Sequence, residues 1–162
     1  MGRKSTRINK SLYQLAREKK GYTRQEAVEM SEQYFSEGRL EKLESQKLEI
    51  HPDEVVKMAE LYGDNELCAQ YCAKHCAIGK KRKFQEVEMK DLSQIVLEVL
   101  SSLNHLNEEK ERFIEMSVDG KIDDHEKEDF LYLRDQLFLL RGTIDSFSLW
   151  VDEQLNLQNV TK

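Results

Sequence analysis

The clearest local pattern in this chain lies in residues 23–63, which run TRQEAVEMSEQYFSEGRLEKLESQKLEIHPDEVVKMAELYG. Glu26 follows Thr23 by three positions, the spacing of a capping box in which each side chain accepts a hydrogen bond from the other residue's backbone amide. A short helix should follow, with its apolar positions at Ala27, Val28 and Met30. The stretch therefore predicts a well-defined helix start at Thr23.

Two further helices are predicted in the same stretch. Ser36 is suited to cap the first of them, whose apolar positions are Leu40 and Leu43. Residues 45–51 lack periodicity and should form a loop. Pro52 stands where proline is tolerated, at the first position of a helix, and Gly63 closes that helix. Its apolar positions are Val55, Val56, Met58, Ala59 and Leu61.

Upstream of residue 23, a first helix is predicted to end at Gly21. Its apolar positions are Ile8, Leu12, Leu15 and Ala16. Residues 1–24 carry eight Lys and Arg against one acid, whereas the whole chain carries 25 against 31. A basic head on an acidic body is expected when one end meets a polyanion. A solvated basic tail is the alternative.

The order of these elements resembles the Cro and lambda-repressor-like (XRE) helix-turn-helix family over about one third of the chain. The matching residues are Leu12, Leu15, Arg17, Thr23, Glu26, Ala27, Leu40, Leu43, Glu44, Pro52, Val56, Ala59 and Leu61. The chain departs from the family in two ways. The spacings from Thr23 to Glu44 and from Glu44 to Pro52 are longer, and Ser45 and Gln46 stand where a glycine is expected.

The resemblance implies a dimeric, repressor-like transcriptional regulator whose third helix enters the major groove of double-stranded DNA. Arg39 would read guanine through two hydrogen bonds, and Lys42 and Arg24 would contact phosphates. The DNA-binding residues implied are Arg3, Lys4, Arg7, Thr23, Arg24, Gln25, Ser36, Glu37, Gly38, Arg39 and Lys42. Because Glu37 and Glu41 make the third helix nearly neutral, an adaptor that binds protein instead of DNA stays open.

The next segment, 64–83, is expected to be a cysteine-bearing helix, capped at Asp64 or Asn65 and ended near Ile78 by Gly79, followed by a basic hinge. Cys68, Cys72 and Cys76 would share one helix face. Eight helical residues rise about 12 Å, too far for the outer two sulfurs to ligate one zinc ion. We therefore expect a packing role, no bound metal and no cofactor, with metal or redox sensing as the alternative. The basic residues 80–83 are either a solvated hinge or a second phosphate contact.

The C-terminal segment, 84–162, shows two stripes with alternating steps of three and four, typical of helical seams. The stripes are Leu92, Val96, Val99, Leu103, Leu106, Lys110 and Phe113, then Phe130, Leu133, Leu137, Leu140, Ile144, Phe147 and Val151. They predict an antiparallel helical hairpin. Surplus apolar residues predict a second buried face, either in a homodimer or within the chain. These are Leu131, Leu139, Leu149, Trp150 and Leu155.

The connection between the two stripes, residues 115–126, partly resembles a calcium-binding EF-hand loop. Its ligand positions would be Glu115, Ser117, Asp119 and Glu126, around Gly120 and Ile122. The first ligand should be Asp, and no paired motif is present. The simpler expectation is that Gly120 ends one helix in the left-handed conformation, that Ile122 packs under the turn, and that Asp123 or Asp124 caps the next helix.

Composition predicts an all-α protein, with an N-terminal helix-turn-helix domain in residues 1–63 and a long helical hairpin. The chain is 35% charged and has one proline, which suits amphipathic helices. No apolar run approaches the length of a membrane span, and no signal peptide is apparent, so a cytoplasmic location is expected. No phosphate-binding loop, nucleophile elbow or paired-histidine zinc motif is present, so we expect no enzymatic activity.

Overall fold

A computed structural model describes residues 9–116, 118 and 120–160. Within these residues every regular element is a helix and no strand occurs, which confirms the predicted all-α class. The helices are α1 (Leu12–Lys20), α2 (Arg24–Met30), α3 (Glu37–Glu44), α4 (Pro52–Tyr62), α5 (Glu66–Lys74), α6 (Ala77–Lys81), α7 (Leu92–Glu108), α8 (Lys110–Met116) and α9 (Lys127–Val160).

The described chain divides into two compact units within α5, between Tyr71 and Cys72. The N-terminal unit comprises the described residues up to Tyr71 together with those from Leu155 onward, and the C-terminal unit comprises Cys72–Gln154. The division falls inside the segment 64–83, which the sequence sets apart as a helix and hinge.

The N-terminal unit is a small helical bundle around one apolar core. In it α3 packs on α1 and α2, and α4 packs on α1. The predicted apolar positions Ala27, Leu40, Leu43, Val55, Met58 and Ala59 are all buried. Tyr13, Ala16, Phe35, Tyr62 and Leu67 complete the core.

The predicted helix ends are confirmed. The backbone amide of Thr23 donates to Glu26 Oε2 at 2.7 Å, and that of Glu26 donates to Thr23 Oγ1 at 3.1 Å. Ser36 Oγ accepts from the backbone amide of Arg39 at 3.2 Å. Gly21 and Gly63 close α1 and α4 in the left-handed conformation, with φ of +87° and +65°.

Three predicted core positions are wrong, because Leu15, Met30 and Val56 are exposed. The buried face of α1 instead includes Gln14 and Arg17. A pattern that counts only apolar residues cannot assign polar side chains to the interior, so it rotates the helix towards Leu15. The predicted first apolar position, Ile8, lies outside the described residues.

The missing glycine after Glu44 does not alter the end of α3. Gln46 takes the left-handed conformation itself, with φ of +57°. The Gln46 amide donates to the Leu43 carbonyl at 3.1 Å, and the Lys47 amide donates to the Lys42 carbonyl at 2.9 Å. A left-handed residue with a side chain costs about 1–2 kcal/mol. The chain therefore keeps the usual helix ending at a small cost in stability.

The cysteine segment does not form the single helix that the sequence predicts. Helix α5 ends at Lys74, and Cys76 is the N-cap of α6, so Gly79 lies inside a helix. A Cβ added to Gly79 would lie 1.9 Å from the carbonyl oxygen of Cys72. The chain therefore breaks between α5 and α6, at residues 75 and 76. As a result, the three cysteines do not share one continuous helix face.

The remaining helices of the C-terminal unit are consistent with the predicted hairpin. His105 is hydrogen-bonded to Tyr132, and Arg112 pairs with Asp129, so the end of α7 and the start of α8 lie beside the first part of α9. The predicted first stripe is interrupted at Glu109, which separates α7 from α8.

The simpler expectation for this connection is confirmed only in part, because Ile122 is 60% exposed and α9 begins only at Lys127. Asp123 caps the turn before α9. Its Oδ1 accepts from the amides of His125 and Glu126 at 2.8 and 2.9 Å. Gly120 has a φ of +67°. The EF-hand-like positions Ser117 and Asp119 lie outside the described residues.

Candidate nucleic-acid interface

The outer face of α3 is the candidate interface that the sequence points to. Leu40, Leu43 and Glu44 turn inward and are buried. The other face is solvent-exposed and carries Ser36, Glu37, Gly38, Glu41 and Lys42. Four of these five are among the residues that the resemblance assigns to DNA binding, and the structure places them on one surface.

A buried ion cluster holds α3 from behind. The side chains of Glu44 and Arg17 are only 1% and 7% exposed, and Arg17 Nη2 donates to Glu44 Oε2 at 2.9 Å. Arg24 Nε donates to the same oxygen, also at 2.9 Å. These bonds join α1, α2 and α3 and place the N-terminus of α2 beside the C-terminus of α3.

The charges in this cluster stabilise each other. Burial by itself lowers the pKa of Arg17, but the hydrogen bond to Glu44 and the neighbouring negative charges, that of Glu44 above all, together outweigh it, so the pKa lies above its ordinary value. Arg17 Nη1 also donates to the Tyr22 carbonyl. The buried guanidinium is therefore held charged and fully oriented, which fixes the position of α3.

Three predicted contact residues lie at the start of α2, and they differ in how far their polar atoms are already used in hydrogen bonds within the chain. Arg24 uses Nε on Glu44, which leaves its other nitrogens for a ligand. The Oγ1 of Thr23 accepts the Glu26 amide within the capping box. Gln25 is exposed, and its Nε2 donates to Glu29 Oε1 at 3.3 Å.

Arg39 is bound within the chain, which the sequence analysis did not foresee. Its Nε donates to Glu54 Oε1 at 2.7 Å and its Nη2 to Glu54 Oε2 at 3.0 Å. Two parallel bonds of this kind are those that guanine would need. Arg39 would have to leave Glu54 to read guanine with both bonds.

Glu54 is held as an anion in this contact. Burial raises its pKa. The hydrogen bonds from Arg39 and from the backbone amide of His51, with the charge of Arg39, together lower the pKa by more, so it lies below its ordinary value. The bond to Glu54 also raises the pKa of Arg39. Together these groups tie α3 to the first turn of α4.

A second contact fixes the connection between α2 and α3. The hydroxyl of Tyr34 donates to Asp53 Oδ2 at 2.9 Å, which lowers the pKa of Asp53 and raises that of Tyr34. Sequence reasoning missed both Asp53 and Glu54. The one available signal was the position of Glu54, three residues after the helix cap His51, which is typical of a capping box.

The exposed surface around α3 is more acidic than basic among the described residues. Lys42 is exposed and makes no ion pair with any described residue. The exposed acids nearby in sequence are Glu29, Glu32, Glu37 and Glu41. The predicted arm residues Arg3, Lys4 and Arg7 lie outside the described residues, so the basic head is represented here only from Lys10 onward.

No family model, curated protein or solved structure matches this chain. The resemblance to the XRE family therefore stays a prediction.

The N-terminal half of α3 has a glycine without an internal packing reason. A Cβ added to Gly38 would meet no atom within 4 Å. Glycine within a helix costs about 1 kcal/mol relative to alanine. A glycine kept on an exposed helix face at that cost is consistent with close approach of a partner to the backbone.

The cysteines offer no metal centre within the residues that the structure describes. No group of three or more His, Cys, Asp or Glu side chains there is arranged to hold a metal ion. The three thiols form no disulfide and are partly buried. Burial raises the pKa of the Cys72 thiol, so it is a weaker nucleophile than an exposed cysteine.

In the described part of the chain, no helix has the length and apolar character needed to cross a membrane.

Proposed function

We propose that this chain is a sequence-specific DNA-binding regulator of transcription, repressor-like and dimeric. The observation that carries the proposal is the fixed position of α3. Its inner face is locked by the buried pair of Arg17 and Glu44, whereas its outer face is left for a partner. A rigid helix presented in this way suits entry into the major groove.

The contacts divide by chemistry in this proposal. Lys42 and the free nitrogens of Arg24 would bind phosphates, supported by the N-terminus of α2. The open backbone at Gly38 would allow α3 to approach the base edges closely. Because the described surface near α3 is acidic, the affinity should depend strongly on cations elsewhere in the chain and fall steeply with salt.

Dimerisation is supported by the apolar surface of the C-terminal unit. Among its described residues only Val87 and Ile95 are buried apolar side chains. Eleven large apolar side chains on α7 and α9 are at least 39% exposed: Leu92, Val96, Leu97, Leu100, Leu103, Leu131, Tyr132, Leu137, Leu139, Ile144 and Phe147. Soluble monomers rarely leave so much apolar surface in water.

The exposed residues form stripes that suit a second copy. Val96, Leu100 and Leu103 share one face of α7, and Leu137 and Ile144 lie seven residues apart on α9. Of the seven predicted seam residues of α9, Leu137, Ile144 and Phe147 are exposed and would be available to a partner subunit.

DNA binding is tested by selecting bound fragments from random duplexes and measuring the affinity of the selected site. A double variant, Gln25→Ala with Lys42→Ala, removes two exposed contacts that the folded core does not use. We expect its affinity to fall at least about tenfold. The matched control, Lys57→Ala with Glu60→Ala on α4, should bind as the parent does.

Dimerisation is tested independently by sedimentation equilibrium. Replacing Leu137 and Ile144 by glutamate should convert the protein to monomers, because two charges would be placed in the apolar stripe. Monomers of the parent chain at high concentration would refute the dimer. Failure to select any DNA sequence at low salt would refute the regulator itself.

The acidic surface around α3 favours a second candidate function, an adaptor that binds a basic protein surface. The discriminating variant is Glu37→Gln with Glu41→Gln. Removing two carboxylates near phosphate should strengthen DNA binding, since like charges repel at close range. If these carboxylates instead contact a basic protein, the same variant should leave DNA binding absent and should weaken the protein complex.

A further inference from the structure

A short basic turn lies at the end of α6 in the C-terminal unit. It consists of Lys80, Lys81, Arg82 and Lys83, which we call the basic turn. All four side chains are exposed. None of them makes an ion pair with a described residue. The Arg82 guanidinium lies 5.8 Å from the centre of the Phe84 ring, and no carboxylate in the described part of the chain neutralises the four charges.

The basic turn has a fixed backbone. The amide of Phe84 donates to the Gly79 carbonyl at 3.0 Å, and that of Lys83 donates to the Lys80 carbonyl at 3.1 Å. These are the bonds of a Schellman helix ending. The Arg141 guanidinium lies 3.9 Å from the centre of the Phe84 ring and anchors the residue that follows the turn.

The residue that precedes the basic turn, Gly79, is also held in place. Gly79 packs directly on the Cys72 carbonyl, where no side chain would fit. The cations are therefore displayed on a preorganised backbone and not on a mobile linker. Preorganisation lowers the entropy lost on binding.

Lys83 occupies a position that glycine would fill at lower cost. Its φ is +53°, and a side chain in this conformation costs about 1–2 kcal/mol. Strained backbone positions persist mainly where they serve a function. A lysine at this position supplies a positive charge that a glycine could not.

We propose that the basic turn is a second binding surface for the backbone phosphates of double-stranded DNA, separate from the helix-turn-helix. This inference rests on the proposed function. The outer face of α3 carries more acid than base, so a DNA-binding protein of this kind needs cations at another place. The basic turn offers four consecutive exposed cations that make no ion pair with a described residue, and lysines bind phosphate as point charges.

The test measures the salt dependence of the affinity of the full chain for its selected duplex. Each phosphate contact contributes about 0.9 to the slope of log K against log salt. The variant Lys80→Gln with Lys81→Gln should reduce the slope by about 1.8. The matched control, Lys110→Gln with Lys127→Gln, removes two exposed lysines of the same unit and should leave the slope unchanged.

A second variant separates charge from structure. Lys83→Gly should raise the melting temperature, because it relieves the left-handed backbone, and should still weaken DNA binding. A turn with only a structural role would give a more stable protein with unchanged DNA affinity. That result would overturn the inference.

The remaining outcomes are equally decisive. Equal slopes for the two double variants would overturn the inference and leave the proposed function standing, whereas a parent chain that binds no duplex at low salt would refute both. Ile78, beside the turn, is 70% exposed, so vesicles of phosphatidylcholine and phosphatidylserine are included. A turn variant that loses vesicle binding but keeps full DNA affinity would assign the turn to a lipid surface and overturn the proposal.

Discussion

Replacing Glu44 by glutamine should destabilise the N-terminal unit strongly. Glu44 accepts hydrogen bonds from Arg17 and Arg24 and is 1% exposed. The amide keeps the shape of the side chain, but it removes the charge and turns an NH₂ group towards a guanidinium. Breaking a buried pair on one side costs about 3–5 kcal/mol. We expect about 3 kcal/mol, because Arg17 keeps its bond to the Tyr22 carbonyl.

A loss of this size is a large part of the 5–15 kcal/mol that typically holds a domain together. For a unit of about 60–70 residues it corresponds to roughly 12–24 °C in melting temperature. Hydrogen exchange of the α1–α3 amides, followed by mass spectrometry, reports the opening free energy of this unit within the full chain.

Two companion variants test the cause. Arg24→Gln removes the more exposed partner, whose side chain is 30% accessible, and should cost about 1 kcal/mol or less. Arg17→Met combined with Glu44→Leu replaces the pair by apolar groups and should recover most of the loss. If Glu44→Gln lowers the opening free energy by less than 1 kcal/mol, the buried pair does not hold α3 and the argument for a fixed recognition helix fails.

Three further predictions concern single positions. Gln46→Gly should stabilise the N-terminal unit by about 1 kcal/mol, because glycine adopts φ of +57° without strain; urea denaturation with an unchanged or lower midpoint would contradict this. Gly79→Ala should destabilise the C-terminal unit, since its Cβ would lie 1.9 Å from the Cys72 carbonyl oxygen, and a thermal midpoint equal to the parent's would show that the contact is not required. Because the pKa of Glu54 is lowered in the folded chain, the stability from its pair with Arg39 is present above the unfolded value of about 4.3 and is lost as the pH falls through the folded value. A Glu54→Gln variant should therefore lose stability less steeply than the parent between about pH 5 and pH 3, and parallel curves would refute the assignment.

Local signals in the sequence predicted helix ends well and helix faces less well. The Thr23 and Glu26 capping box, Pro52 at the start of α4 and the closing glycines Gly21 and Gly63 depend on neighbouring residues only, and they are found where expected. Gly79, in contrast, lies inside α6 because of its contact with the distant Cys72 carbonyl. The buried face of α1 was misplaced, because Arg17 is interior only by virtue of Glu44, which lies 27 residues away.

The site shows the same division. The resemblance implied that Ser36, Glu37, Gly38 and Lys42 lie on the exposed side of the third helix, and the structure shows all four exposed. The resemblance also assigned Arg39 to this exposed surface, and it could not show that Arg39 is already bound by Glu54, fifteen residues further along the chain. That pairing exists only after the loop 45–51 has brought α4 to α3.

The apolar stripe of α9 in the C-terminal unit shows the same difference between local pattern and tertiary packing. The alternating three- and four-residue steps determined that α9 would be a long amphipathic helix, because periodicity is a local property of the chain. Only the tertiary structure decided that Leu137, Ile144 and Phe147 remain exposed while Thr143 and Ser146 turn inward. A stripe of leucines specifies that a helix face will be covered, but the partner that covers it is set by contacts between distant segments or between chains. The sequence alone therefore determined where helices begin, end and carry their apolar stripes, and the packing of those helices decided which stripes are buried and which are left to bind.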